Sequence, residues 1–204
     1  MTRAKSLRRK NNGTRNAVIL IALFAAASAS VAYLLWSLPA QSSAMVLAGQ
    51  QAPSFRLTSA IDGRSFNLTA YAGESDVLLF FNEGLSCSPC LQQMVELDRD
   101  YPRFSDMGVM VASITTDPAS SLGTWARSNG ILNMMVLSDS SLKVDQTYGT
   151  MGAGTGSMHQ GMAPGHTFIL VDKDGTVVWR KDYGTYTMYV PVTELMSSVR
   201  SAMG

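Results

Sequence analysis

Two cysteines, Cys87 and Cys90, are the residues of this 204-residue chain whose type and spacing point most directly to chemistry. They lie in the stretch FNEGLSCSPC, residues 81–90, and the chain has no other cysteine. A pair with this spacing can bind a metal ion, close a structural disulfide, or exchange disulfides with another molecule.

Redox exchange is the chemistry that the rest of the sequence favours for this pair. Structural zinc usually takes four ligands, and the two histidines, His159 and His166, lie far along the chain at an unsuitable spacing. A disulfide that closes so short a loop would constrain the unfolded chain little. We therefore expect a redox centre made of the two thiols, with no metal and no other cofactor.

The residues around the pair predict unequal roles for the two thiols. VLLFF, residues 77–81, is a continuous apolar run typical of a strand buried on both faces, and apolar residues recur at helical spacing after Cys87. Because unpaired N–H groups and the dipole at a helix start favour a thiolate, we expect Cys87 to be the nucleophile. Its position at the carboxyl end of the strand should leave it partly exposed. Cys90, one turn into the helix, should be covered and should resolve the mixed disulfide by closing the Cys87–Cys90 bond.

Glu83 supplies the acidic side chain of the same stretch, four residues before the first cysteine. A carboxylate beside such a pair can shuttle a proton to or from Cys90. The alternative is a solvated loop carboxylate with no role in the chemistry. We include Glu83 with Cys87 and Cys90 among the predicted catalytic residues.

The pattern of residues 47–204 predicts an α/β domain. Apolar residues alternate on both sides of Asp62-Gly63, which indicates an N-terminal hairpin, and a second hairpin flanks residues 173–175. Strands at 108–116 and 134–139 alternate with helices at 120–130 and 141–149 between the two hairpins. A further helix, 192–203, closes the chain. This order implies a mixed central sheet flanked by helices.

The first 46 residues predict a membrane anchor. Six Lys and Arg precede residue 16, and residues 17–36 form an uncharged apolar run long enough to cross a bilayer as one helix. By the positive-inside rule, the basic arm (1–16) stays in the cytoplasm, and a linker (37–46) leads to a domain (47–204) outside it. We expect a single-pass protein of the cell membrane; the alternative is cleavage after Ser42-Ser43-Ala44.

The part of the chain beyond the basic arm is acidic. It holds all 15 Asp and Glu but only 10 of the 16 Lys and Arg. Because affinity for nucleic acid depends on Lys and Arg that neutralise phosphates, we expect no nucleic-acid partner.

Five stretches give the chain a family resemblance over residues 47–203. In order, they are QQAPSFRL, DGRSFNL, VLLFFNEGLSCSPC, GVMVASITTD and HTFILVDKDG. Together they resemble the membrane-anchored thioredoxin-like proteins of the TlpA and ResA type, in a superfamily that includes the peroxiredoxins. The resemblance implies a thioredoxin-like fold with its redox centre at Cys87 and Cys90. It also implies disulfide-bearing or dithiol protein clients, such as apocytochrome c, and electrons from a membrane thiol carrier.

The chain departs from the family pattern at three places. Ser86 stands where the family usually has tryptophan before the first cysteine. The family's cis-proline directly precedes a Thr-Phe pair, whereas here Pro164 is separated from that pair by two residues; the resemblance implies a substrate groove at Pro164, Gly165 and Thr167. Phe80 and Gly84 replace the proline and threonine of the peroxiredoxin pattern, which argues against efficient peroxide reduction.

A glycine- and methionine-rich stretch, residues 150–165, has no periodicity and predicts a long loop. Thioether and imidazole groups there suit Cu(I): Met151, Met158, His159, Met162 and His166. We favour a flexible loop whose methionines contact apolar surface of the client, and a structural hydrogen-bonding role for His166. A copper-binding chaperone and a peroxiredoxin-like peroxidase are the alternatives to a thiol–disulfide oxidoreductase.

Overall fold

A computed structural model describes residues 45–152, 164–183 and 189–204 of the chain, all within one compact unit, residues 43–204. The predicted basic arm, the anchor and most of the linker lie outside these residues. Within the described ranges, no helix combines the length and the apolar character needed to span a bilayer. The boundaries of the arm, anchor and linker therefore stay predictions.

The described residues form a seven-stranded mixed sheet with the strand order β2-β1-β5-β4-β3-β6-β7. The strands are β1 (Arg56–Ser59), β2 (Ser65–Asn67), β3 (Asp76–Phe81), β4 (Val109–Thr115), β5 (Met135–Ser138), β6 (His166–Val171) and β7 (Val177–Tyr183). Strands β3, β4 and β5 are parallel to one another, whereas β6 and β1 pair antiparallel with β3 and β5. The predicted mixed sheet is confirmed.

Helices cover both faces of this sheet. They are α1 (Ser88–Arg99), α2 (Tyr101–Ser105), α3 (Ala119–Ser128), α4 (Lys143–Tyr148) and α5 (Val192–Met203). Successive side chains of the fully buried β3 point to opposite faces, so Leu78 and Phe80 join one core cluster with α1, α3 and α5. Leu79 and Phe81 join the other cluster, which includes Tyr148 of α4.

Both predicted hairpins are present. Strands β1 and β2 pair antiparallel, and the turn between them has Gly63 at φ +73°, where Asp62 accepts a hydrogen bond from the N–H of Arg64. Strands β6 and β7 form the second hairpin. Helix α2 has no counterpart in the sequence prediction, because five residues are too few to show a periodic pattern.

Asp98, in the last turn of α1, attaches this helix to the segment that leads into β5. Its carboxylate is buried and accepts hydrogen bonds from the backbone N–H groups of Leu132, Asn133 and Met134, at 2.7–3.2 Å. The side-chain amide of Asn133 donates to it as well. Since both cysteines lie at the other end of α1, these bonds help to fix the helix on which the cysteines depend.

We predict that Asp98→Ala lowers the free energy of unfolding by about 3 kcal/mol, because several N–H groups lose a charged acceptor at once. Asp174, exposed in the β6–β7 turn, is the matched control, and Asp174→Ala should change stability by less than about 0.5 kcal/mol. Urea denaturation of both variants measures the difference. Equal stabilities would show that the Asp98 bonds contribute nothing to the fold.

Candidate active site

Cys87 and Cys90 are joined by a disulfide at the carboxyl end of β3, with their Cα atoms 5.2 Å apart. Cys87 is the N-cap residue of α1, and its Sγ accepts a hydrogen bond from the backbone N–H of Cys90 at 3.2 Å. Pro89 occupies the first turn, where a helix needs no N–H. The predicted helix start at the cysteines is confirmed, and the hydrogen bond to Cys87 is one that a thiolate would strengthen.

The exposure of Cys87 differs from the expectation. Only 3 % of its surface is accessible, and Cys90 is fully buried. The prediction of a partly exposed Cys87 is therefore wrong for the disulfide form, because the sulfur of Cys87 turns inward to bond the covered Cys90. The prediction of a covered Cys90 is confirmed.

The loop between β3 and the cysteines is held by two polar side chains. Asn82 is fully buried; its amide donates to the hydroxyl of Ser113 on β4, and its carbonyl oxygen accepts from the N–H of Gly84. The carboxylate of Asp117 accepts from the N–H of Leu85 at 2.8 Å. The N–H of Cys87 then donates to the carbonyl of Gly84, so the position of Cys87 depends on this turn.

Gly84 is a glycine for two physical reasons. Its backbone has φ +63°, a conformation that side chains with a Cβ rarely adopt. A Cβ at this position would also overlap the Asp117 carboxylate. No larger residue fits here without moving the acceptor that holds the loop.

Glu83 lies half-buried in the same loop, and its backbone carbonyl accepts a hydrogen bond from the Ser86 hydroxyl. The structure thus places Glu83 in the segment that leads to the cysteines. Its proton-shuttling role stays a prediction.

The predicted substrate residues lie at the start of β6. Pro164 is buried and forms an isolated antiparallel β-bridge with Met151. The N–H of Gly165 donates a hydrogen bond to the carbonyl of Thr150 at 2.8 Å. The hydroxyl of Thr167 is buried and donates to Asp182 on β7. Thr167 therefore already uses its donor within the fold, and contact of these three residues with a substrate stays a prediction.

His166, the first residue of β6, contacts the redox pair directly. Its Nδ1 lies 3.8 Å from the Sγ of Cys90, and its ring packs edge-on against Phe80 at 4.6 Å between centroids. Burial lowers the pKa of His166 to about 4, so the imidazole is neutral at physiological pH. From the sequence, we favoured a structural role for His166 over that of a copper ligand. Its position directly before the Thr-Phe pair is the signal that could have placed it beside the cysteines.

The copper hypothesis rests mainly on residues that the structure does not describe. Met158, His159 and Met162 lie outside the described ranges, whereas Met151 and His166 lie within them. Across residues 45–152, 164–183 and 189–204, no group of three or more His, Cys, Asp or Glu is arranged to hold a metal ion.

Residues 48–180, more than half of the chain, match the model of the AhpC/TSA family. The chain belongs to this family. The match supports the thioredoxin-like resemblance predicted from the five sequence stretches, whereas the membrane anchor stays a prediction. The matched residues include the loop between β3 and the cysteines, both cysteines and His166.

Two curated relatives of this AhpC/TSA chain are named thiol-disulfide oxidoreductase ResA. The protein of Bacillus thuringiensis (strain Al Hakam) is 28% identical over 131 residues, covering 64% of this chain and 66% of the relative, just under two thirds of its length. The protein of Geobacillus thermodenitrificans is 28% identical over 161 residues, covering 78% and 81%. These names agree with the oxidoreductase class predicted from the cysteine pair.

The crystal structure of AhpC from Enterococcus faecalis superposes with a TM-score of 0.66 at 15% sequence identity, covering 78% of this chain and 93% of that one. At this identity the likeness concerns the fold alone. It agrees with the predicted thioredoxin-like arrangement of a mixed sheet with flanking helices.

We predict that Gly84→Ala destabilises the protein more than Gly130→Ala. Both glycines have positive φ, but the site of a Cβ at Gly130 is open, with nothing within 4 Å. Gly130→Ala should therefore cost about 1–2 kcal/mol of unfolding free energy from backbone strain alone. Gly84→Ala should cost about 1–3 kcal/mol more, from the overlap with Asp117. Denaturant titrations measure the difference, and equal losses would contradict the packing described for this turn.

Proposed function

We propose that the protein exchanges disulfides with protein clients through Cys87 and Cys90. The observation that carries the proposal is the disulfide at the first turn of α1, where the sulfur of Cys87 already accepts a backbone N–H. This geometry stabilises negative charge on Cys87 more than on Cys90. The family match and the names of the ResA relatives support the same reaction class.

In the reducing direction, the thiolate of Cys87 attacks one sulfur of a client disulfide, and the other client sulfur leaves as a thiolate. The thiolate of Cys90 then attacks the Sγ of Cys87 and expels the second client sulfur. The client gains two electrons and two protons, and the protein is left with the Cys87–Cys90 disulfide. The opposite direction reverses each step and oxidises a client dithiol.

We place this reaction outside the cytoplasm, at the cell membrane. The apolar run of residues 17–36, with basic residues before it, supports a single-pass anchor and this orientation. A disulfide persists in such a compartment. A membrane thiol carrier would supply electrons for a reducing role, and apocytochrome c is the class of client that the family resemblance suggests.

Peroxide reduction, the predicted alternative, is less well supported by the site. The AhpC structure shares the fold, but Gly84 stands here at the position of the threonine in the peroxiredoxin sequence pattern. Because the Asp117 carboxylate fills the space of a Cβ at Gly84, a threonine hydroxyl has no room at this position. Phe80, at the position of the proline, is buried within β3.

We predict that Cys90→Ser accumulates mixed disulfides with client proteins through Cys87. Without the second thiol, the mixed disulfide formed by Cys87 is not resolved. Non-reducing electrophoresis of the variant, expressed as the full chain in its membrane, measures the adducts. Cys87→Ser is the matched control and should accumulate at least about tenfold less, because the helix start stabilises a thiolate at Cys87, whereas Cys90 lies one turn inside the helix. More adducts on Cys87→Ser than on Cys90→Ser would reverse the assigned roles.

A further inference from the structure

One buried polar side chain at the site has no part in the exchange described so far. His166 is 3 % exposed, and its Nδ1 faces the Sγ of Cys90 at 3.8 Å. Among the described residues, its Nε2 has no hydrogen-bond partner. Aromatic rings surround the imidazole: Phe80, Phe168 and Tyr183. Within the part of the chain that the structure describes, the sulfur of Cys90 is thus the polar atom that this ring contacts.

The surroundings of the ring determine which nitrogen carries the proton. A neutral imidazole has one N–H, and an N–H buried without an acceptor costs free energy. On Nε2 the proton would face apolar surroundings, whereas on Nδ1 it points to a sulfur atom. The Nδ1–H form is therefore the favoured tautomer, and it places a hydrogen-bond donor against Cys90.

We propose that His166 is a further catalytic residue, whose neutral imidazole donates a hydrogen bond from Nδ1 to the sulfur of Cys90 and stabilises that sulfur as a thiolate. This inference rests on the proposed disulfide exchange. A bond from N–H to an anionic sulfur is stronger than one to a disulfide sulfur, so the stabilisation grows as charge develops on Cys90.

The donor acts in both directions of exchange. When a client thiolate attacks Cys87, the Cys87–Cys90 bond breaks, and the electron pair of that bond goes to the sulfur of Cys90 beside His166. When Cys90 resolves a mixed disulfide, its proton first passes to solvent by way of Glu83, the predicted proton shuttle, and the thiolate that attacks Cys87 is the species held by His166. The imidazole keeps its own proton throughout, which fits a ring that stays neutral at physiological pH.

Among the described residues, the ionisable groups to consider around His166 lie on β7, on α5 and in the loop before the cysteines. Tyr183 on β7 packs edge-on against the ring, and Lys181 on the same strand lies over the Tyr183 ring at 5.7 Å. Glu194 of α5 acts on Tyr183, whose pKa is raised chiefly by burial. Glu83 lies in the loop before the cysteines. The pKa of His166 itself is lowered by burial.

The test measures the reactions of the two cysteines as separate kinetic phases. The reagent is dithiobis(nitrobenzoate), an aromatic disulfide that releases one coloured thiolate when Cys87 attacks it and a second when Cys90 resolves the mixed disulfide. Mixed with the reduced full chain, it should give a first phase that quickens with reagent concentration and reports attack by Cys87. A second phase, independent of reagent concentration, reports resolution by Cys90. Both phases are followed by stopped-flow absorbance over a range of pH.

We expect His166→Phe to slow the second phase about tenfold near neutral pH and to move its pH midpoint upward by about one unit. The rate at high pH, where Cys90 is fully ionised, should equal that of the unmodified protein. The first phase should not change, because Cys87 has its own donor in the N–H of Cys90. His166→Asn, whose amide reaches the position of Nδ1, should restore part of the rate.

Several results would overturn the inference. An unchanged second phase in His166→Phe, or a slowing that is equal at every pH with the same midpoint, would show a merely structural role. If His166→Phe does not fold, His166→Leu takes its place, and the comparison with His166→Asn decides in the same way. An unmodified protein without a second phase would instead refute Cys90 as the resolving thiol, and with it the proposed function.

Discussion

The turn at Gly84 is the constraint on which the geometry of the site depends. Here the chain leaves the buried strand β3 and must reverse within a few residues to begin α1. The side-chain carbonyl oxygen of Asn82 and the carboxylate of Asp117 accept hydrogen bonds from N–H groups of this turn, and the backbone carbonyl of Gly84 accepts one from the N–H of Cys87. Because Asp117 follows β4, the cysteine pair is attached to two neighbouring parallel strands and not to a free loop.

The second support of the cysteine pair comes from β6, which lies on the other side of β3 from β4. Strand β6 pairs with β3, and its first residue, His166, meets the sulfur of Cys90. The two ends of α1 are thus fixed in different ways: its first turn by β3, β4 and β6, and its last turn by Asp98 against the segment before β5. The site is a junction of elements that are distant in sequence.

Much of this arrangement was predictable from the sequence, because the relevant signals are local. The run VLLFF, the helical spacing after Cys87 and the Asp62-Gly63 turn each determine one element. What the sequence could not show are contacts between elements: the inward turn of Cys87, the carboxylate of Asp117 beneath Gly84, and the meeting of His166 with Cys90. These contacts depend on how side chains pack across the sheet, and the spacing of residues along the chain does not reveal that packing. Helix α2 escaped prediction because it is shorter than two helical turns.

The Cys87–Cys90 bond encloses a single helical turn of a scaffold that other contacts already hold. For such a pair, the stabilities of the oxidised and reduced protein and the reduction potentials of the folded and unfolded chain form a closed thermodynamic cycle. A contact that favours the reduced pair makes the disulfide a stronger electron acceptor, and one that favours the oxidised pair makes the thiols a stronger donor. Side chains whose contacts differ in strength between the oxidised and reduced protein therefore also help to decide in which direction electrons pass between it and a client.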